Sequence, residues 1–386
     1  MRTMILGSIV IVGLLTGLAM SAADDRDLPL TTGVADGTPI LHTTQLVAPS
    51  PPPGATASDH AEALVQVLGE LLRSTGGDAS QLLRLNVYAA SDDAAQQARQ
   101  VFTRKYRGKQ RPCLSMVVGT PMVPGALVSL DAVAVSGLEG KRSTALLGKP
   151  VSMGREAAWA VLPGGPAYYI AGQAERGKGT AESTRKTLGS LDATLRFLKR
   201  SPRDVVQVKA FLHPMKDVEL VRQEIARYFG EAGAPPVTIV EWLAKDSIEI
   251  EMVVAGQQTE KRAAQAVEYL TPPGMTASPI YSRVARINHG GRIYTAGLVG
   301  EGKTGADQVR DVFTRLGTLL RNERSDFKHL VKATYYVSTD EASNQLNVLR
   351  PNYYDPKRPP SASKASVQSS GYRGRGLVLD MIAVSP

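Results

Sequence analysis

Side chains that usually carry chemistry are sparse in this sequence. The five histidines (42, 60, 213, 289 and 329) are scattered, with no HExxH and no close pair, so no metal site built from sequence-local ligands is expected. Cys113 is the only cysteine, which excludes an intramolecular disulfide and a multi-cysteine zinc site. It reads as a small buried hydrophobe. Gly177-Lys178-Gly179 lacks the glycine spacing and the strand-to-helix setting of a phosphate-binding loop. The basic clusters, Arg104-Lys105 with Arg107 and Lys109, and Arg373 with Arg375, fall in loops beside turns and read as solvated surface. What does recur is acidic: Asp131, Glu251 and Asp380 hold the same place in three similar apolar strands, 120 and 129 residues apart.

The chain has 386 residues, 43% of them hydrophobic and 21% charged, a globular balance that excludes disorder throughout. Its 45 Lys and Arg exceed 36 Asp and Glu, but the excess is spread along the chain, so nucleic acid is not expected as a partner. Residues 1–23 place Arg2 before an apolar run from Ile5 to Met20, then small residues before Asp24 and Asp25, which is the order of a secretory leader. The run is short for crossing ~30 Å of hydrocarbon, and no second stretch is long enough to do so. The expectation is cleavage between Ser21 and Asp25 and an exported product, periplasmic or extracellular, with no membrane contact afterwards.

Three segments alternate apolar and polar residues as half-buried strands: 82–91, 205–214 and 330–339. Amphipathic helices precede them, with stripes of Ala61, Leu64, Leu68, Leu71 and Leu72, then Leu188, Leu191, Leu195 and Leu198, then Val309, Phe313, Leu316, Leu319 and Leu320. Asp59 and Glu62 stand as a variant capping box in the first helix. A second helix follows each strand and ends in aromatics. Proline stops it, and a last strand (127–135, 248–256 or 377–385) closes the copy. Each copy therefore reads hairpin, helix, strand, helix, strand, strand. The expected organisation is a leader over 1–23 and units over 24–136, 150–256 and 275–386. The fold class is α/β (α+β), each unit a mixed sheet backed by two helices.

The third copy is identified by 281–300 (YSRVARINHGGRIYTAGLVG), by 330–338 (LVKATYYVS), by Asn347, Tyr353-Tyr354 and Pro360, and by 377–384 (LVLDMIAV). Together these resemble the YjgF/Rid family, also called endoribonuclease L-PSP. The first copy is similar from LLRLNVYAAS to LVSLDAVAV, the second through YYIAGQ and EIEMVVAG. The resemblance implies small α/β units that trimerise, with ligand pockets between neighbours. Three copies in one chain then imply a covalent pseudo-trimer around a shared apolar centre, present as a single chain or as a dimer of such bodies.

The resemblance also implies a chemistry, hydrolysis of 2-imino acids to 2-keto acids and ammonia, with no cofactor. That reaction wants an Arg fork for the substrate carboxylate, a Glu for proton transfer, and a Tyr and a Ser-Gly pair from the neighbour. Carried onto this chain, the arginine position reads Leu114, Thr238 and Lys364, and the glutamate position Ser129, Glu249 and Val378. The Ser-Gly pair reads Thr43-Thr44, Ala171-Gly172 and Ala296-Gly297, and the tyrosine is matched by Tyr281 alone. Glu249 is the one catalytic candidate, either a pocket acid or an outward strand residue. Tyr281, Ala296, Gly297, Asn347, Lys364, Gly172 and Thr238 are the ligand-binding candidates, with Lys364 the group that would hold an acidic ligand. The expected function is small-molecule binding or scaffolding with weak or no deaminase activity. The alternatives are a 2-iminobutanoate/2-iminopropanoate deaminase and, second, an endoribonuclease, for which the scattered histidines supply no acid–base pair.

Overall fold

The computed structural model describes residues 29–49, 53–107, 111–138, 146–149, 156–257 and 263–386. The expected leader lies outside them. The elements of the first unit are β1 (Thr31–Val34), β2 (Ile40–Thr43), β3 (Leu46–Val47), α1 (Ala57–Ser74), β4 (Leu82–Ala89), α2 (Asp92–Lys105), β5 (Cys113–Val118) and β6 (Val128–Val135). After β7 (Leu146–Leu147) the second unit follows as β8 (Trp159–Leu162), β9 (Ala167–Gln173), α3 (Thr180–Phe197), β10 (Val205–Leu212), α4 (Val218–Phe229), β11 (Val237–Glu241) and β12 (Ile248–Ala255). Then come β13 (Val267–Leu270), β14 (Val284–Ile287), β15 (Gly291–Thr295), β16 (Leu298–Val299), α5 (Gly305–Asn322), β17 (Leu330–Val337), α6 (Asp340–Leu349), β18 (Ser361–Ser366) and β19 (Leu377–Ser385).

The helices form where the stripes predict, and each stripe is buried against its own sheet: Leu64, Leu68 and Leu72 on α1, Leu188, Leu191 and Leu195 on α3, Val309, Leu316 and Leu320 on α5. Fully burying one such side chain contributes roughly 1.5–3 kcal/mol. The α1 capping box pairs Thr56 with Asp59, one turn earlier than the expected Asp59–Glu62. Glu62 instead faces solvent and pairs with Arg104 and Lys105 of α2.

The three sheets follow one plan. Their orders are β5-β4-β6-β2-β8-β7, β11-β10-β12-β9-β14-β13 and β18-β17-β19-β15-β1, with β3 and β16 pairing beside β6 and β19. In each, the strand after the first helix pairs in parallel with the edge strand and antiparallel with the closing strand. The same register irregularity recurs in all three, at Leu82/Arg84, Val205/Gln207 and Leu330/Lys332.

One expectation needs correction. The hairpin that opens each unit is split between two sheets. The first strand of unit two, β8, pairs with β2 of unit one, and β14 of unit three pairs with β9 of unit two. Likewise β1 crosses to β15 of unit three. The three exchanges close a ring, so every unit has its neighbour's strand in its sheet. Alternation along each strand was readable in the sequence, but alternation does not say which sheet a strand joins. At the centre, Ile40, Val133, Leu162, Tyr169, Val206, Ile287, Tyr294, Val331 and Val384 from all three units form one buried cluster.

The recurrent acids lie inside this ring. Asp131 stands opposite Asn86, Glu251 opposite Lys209 and Asp380 opposite Thr334. Hydroxyls from the next unit reach two of them: Ser363 Oγ donates to Glu251 at 2.5 Å and Ser115 Oγ donates to Asp380. The third equivalent, Thr238, is fully buried and its hydroxyl has no partner, because Asp131 is already served at 2.7 Å by Asn86 Nδ2 and by Tyr88 OH. One position therefore has two energetic meanings. Ser115→Ala and Ser363→Ala are each expected to cost about 1–3 kcal/mol by stripping a buried carboxylate of a donor. Thr238→Val should be neutral or slightly stabilising, and a comparable loss on urea denaturation would contradict this account.

Candidate functional site

Where units meet, a short segment of one lies against the edge strand of the next. Gln45 N donates to Val237 O at 3.1 Å, and Gly297 N to Leu114 O at 3.1 Å. Register therefore fixes which residues are equivalent. Leu85, Val208 and Ala333 hold one position in their strands, and their partners are Leu114, Val237 and Ala362. Thr238 stands opposite Lys209 and Lys364 opposite Tyr335, one and two places further on. The arginine position in the second and third units is thus Val237 and Ala362. The preceding pair in unit one is Thr44-Gln45, a shift of one from Thr43-Thr44. The equivalent position comes two residues after Pro112 and Pro360 but one after Pro236, an offset the sequence does not show.

Lys364 is the principal correction. Its ammonium lies 3.2 Å from Ser343 Oγ and 3.2 Å from Asn347 Oδ1, both on α6 of its own unit. Side chains alternate across a strand, so Ser363 faces the neighbouring unit while Lys364 faces the helix. Burial, then nearby Arg350, hold the Lys364 pKa below its ordinary value. Asn347 is accounted for by the same contact. Neither residue reaches an inter-unit cleft.

Register puts Ser129, Glu249 and Val378 at equivalent places in their strands, opposite Tyr88, Phe211 and Tyr336. The three clefts are consequently furnished differently. Between units one and two, Gln45 fills the space, its amide donating to Ser129 Oγ at 2.9 Å and accepting from Ile239 N at 2.9 Å. Between units three and one, Gly297 lies against Val378 and Ser115, and Ala296 N bonds Leu30 O at 2.8 Å. Between units two and three, Gly172 lies under the Glu249 carboxyl, which occupies the space a Cβ would need.

That last cleft holds the one acid in an equivalent glutamate position. Glu249 is half-buried, and its pKa is raised to about 7, foremost by burial and also by Glu251 and Asp246. Ser363 and Lys332 of unit three work the other way. Lys332 is itself committed, 2.5 Å from Glu251. Tyr281 belongs at the rim, because Ser282 N bonds Pro360 O at 2.9 Å and Ala171 N bonds Arg283 O at 2.9 Å. The Arg283 guanidinium lies 4.9 Å above the Tyr281 ring and donates to Thr276 O. A carboxyl titrating near neutral pH can give or take a proton, and this cleft brings it beside the Ser363 hydroxyl.

The structure brings Gly172 and Glu249 together in one cleft with Tyr281 at its rim and puts Ala296 and Gly297 in another, whereas Thr238, expected to bind ligand, is buried in the interior. Sequence reasoning missed Ser363, Lys332 and Glu251 around Glu249. The recurrence of Glu251 with Asp131 and Asp380 was the available signal. Cys113 is buried as expected, and burial pushes its thiol up to about 12. Three of the five histidines serve local roles: His60 accepts from Leu127 N, His289 lies against Ala263 O and His329 against Asp326. Among the described residues no acidic, His and Cys side chains group as a metal site, and no helix is long and apolar enough to cross a membrane.

No protein-family profile matches the chain, and no curated protein does. Solved structures similar to it are YjgF/Rid-family proteins, each spanning about a third of its length. NMB1025 of Neisseria meningitidis is 21% identical over 31% of this chain and 95% of its own, with a TM-score of 0.24. Rv2704 of Mycobacterium tuberculosis is 24% identical over 27% and 86%, TM-score 0.23. YyfB of Yersinia pestis is 17% identical over 31% and 99%, TM-score 0.27. Likenesses of this size say nothing about what the chain acts on.

Proposed function

We propose that this chain, a covalent ring of three Rid-like units, is an exported small-molecule-binding protein whose working cleft lies between units two and three. The observation that carries this is the pairing of Glu249 with Gly172 there, against Gln45–Ser129 and Gly297–Val378 in the other two clefts. The leader-like order of residues 1–23 supports export, and N-terminal sequencing of envelope or medium protein tests it. The closed exchange of strands supports a self-sufficient single chain or a dimer of it.

The ligand class follows from the groups present. Leu114, Val237 and Ala362 offer no fork for a carboxylate, and Lys364 is turned away. A neutral or amine-bearing ligand that hydrogen-bonds the Glu249 carboxyl fits better than the acidic ligand the sequence suggested. Losing a charge-assisted fork removes roughly 1.5–3 kcal/mol per bond, so 2-imino acid hydrolysis should be at least about 10²-fold below that of a site with an intact fork.

The test feeds purified protein with imines generated by an amino acid oxidase and follows ammonia release. No rate above the uncatalysed one is expected. A thermal-shift screen should find stabilisation by amines or neutral polar compounds that Glu249→Gln removes. Turnover abolished by Glu249→Gln would establish the deaminase alternative, for which a carboxyl poised near pH 7 is the favouring feature. Carboxylate binding lost in Arg283→Ala would overturn the ligand class.

A further inference from the structure

Besides the clefts, the ring encloses a second polar place on its own axis. A cavity of about 40 Å³ is lined by Arg84, Gln207 and Lys332 at one level and by Asn86, Lys209 and Thr334 at the next, with His42, Tyr169 and Glu251 around it. These are equivalent positions of the three units: Arg84 stands opposite Val133, Gln207 opposite Val253 and Lys332 opposite Ile382. His42 and Tyr169 pair with the same Val133 and Val253, and Tyr294 with Ile382. The axis is therefore circled by one further set, His42, Tyr169 and Tyr294.

All three members of that set are buried; His42 lies beside Gln207 and Tyr294 beside Tyr169, but no hydrogen bond of good geometry reaches either ring nitrogen of His42 or the hydroxyls of Tyr169 and Tyr294. Arg84 is only 8% exposed. Its Nε and Nη1 also lack partners, and it makes no ion pair among the described residues. Among the buried charged residues, Arg84, Lys209, Lys332 and Arg292 and the carboxylates Asp131, Glu251 and Asp380 belong to the strands that circle the axis. Lys332 is paired to Glu251, Lys209 reaches only Tyr336 OH at 2.9 Å, and Arg292 donates to the backbone oxygens of Thr38 and Gly165. Asp380 and Asp131 act on Arg84 and raise its pKa, yet neither bonds its Nε or Nη1, so these unmet donors converge on the cavity.

We infer that the axial cavity is a site for one small monovalent inorganic anion, chloride being the simplest, held by Arg84 within the ring of His42, Tyr169 and Tyr294. Its size admits a few water-sized atoms and excludes an organic metabolite. Burial, then the nearby Arg84 and Arg292, hold the pKa of His42 down to about 3, so the imidazole is neutral and offers one N–H beside one acceptor. The anion would act as a structural pin joining the three units, independent of the Glu249 cleft.

The test compares urea unfolding in sodium chloride and in sodium gluconate at equal ionic strength, gluconate being too large to enter. At chloride ten times its dissociation constant the folded-to-unfolded ratio should rise about tenfold, and Arg84→Gln should lose the difference. Should Arg84→Gln fail to fold, crystals of the wild-type protein grown in bromide decide: an anomalous peak beside Arg84 on the axis supports the site. Equal stability in the two salts, or bromide peaks on the surface only, overturns it.

Discussion

Glu251→Gln is expected to destabilise the protein by about 3–5 kcal/mol, the largest effect of any single substitution considered. Glu251 of unit two holds the Lys332 ammonium of unit three at 2.5 Å and accepts from Ser363 at 2.5 Å, and both ion-pair partners are about nine-tenths buried. Removing the carboxylate leaves a buried ammonium uncompensated across a unit boundary, which is the costly way to break such a pair. The double substitution Glu251→Met with Lys332→Met should recover most of the loss, because neither charge is then left behind. Urea midpoints at constant m-value measure both. A single-variant cost under about 1 kcal/mol would mean that water reaches the pair and that the interface between units two and three is looser than described.

Glu249→Gln should act in the opposite direction, raising stability by about 2 kcal/mol at pH 8 and leaving it unchanged at pH 4. The Glu249 carboxyl has a pKa of about 7 in the folded chain against an ordinary 4.5, chiefly through burial. Between those values the folded state keeps a proton that the unfolded state has released. Stability therefore falls as pH rises through that window, by at most about 1.4 kcal/mol per unit. Partial exposure of the side chain lowers the total to about 2 kcal/mol. Glutamine stays neutral and is spared the cost of a buried charge above pH 7. Stability curves that run parallel for wild type and variant from pH 4 to pH 8 would show that Glu249 is hydrated and ordinary.

The sequence made the repeated unit readable because helix stripes and strand alternation are local signals, and they recurred three times. Leu64, Leu188 and Val309 are buried where the stripes put them. The exchange of β1, β8 and β14 was not readable, since a strand of four residues carries the same alternation whichever neighbour it joins. Site residues divided on the same line. Glu249 was left between a pocket and an outward position, because alternation on a strand does not say which face a neighbouring unit covers; its register with β10 puts it against Gly172. Thr238 and Lys364 were misplaced, by one and two residues, because a short edge strand does not show how far past its last proline the register begins; at Thr238 the single step turns the side chain to the opposite face. Thr44-Gln45 shows the consequence for function: a glycine position taken by glutamine closes one cleft, a fact visible only once the register is known.

The central claim is that the cleft between units two and three holds a carboxyl poised near neutral pH. The direct measurement is a side-chain ¹³C NMR titration of glutamate-labelled protein, with the Glu249 resonance assigned by its loss in Glu249→Gln. A midpoint near 7 is predicted. A midpoint near 4.5 would place Glu249 in open water, and the cleft would then have no more claim to chemistry than the two that Gln45 and Val378 occupy.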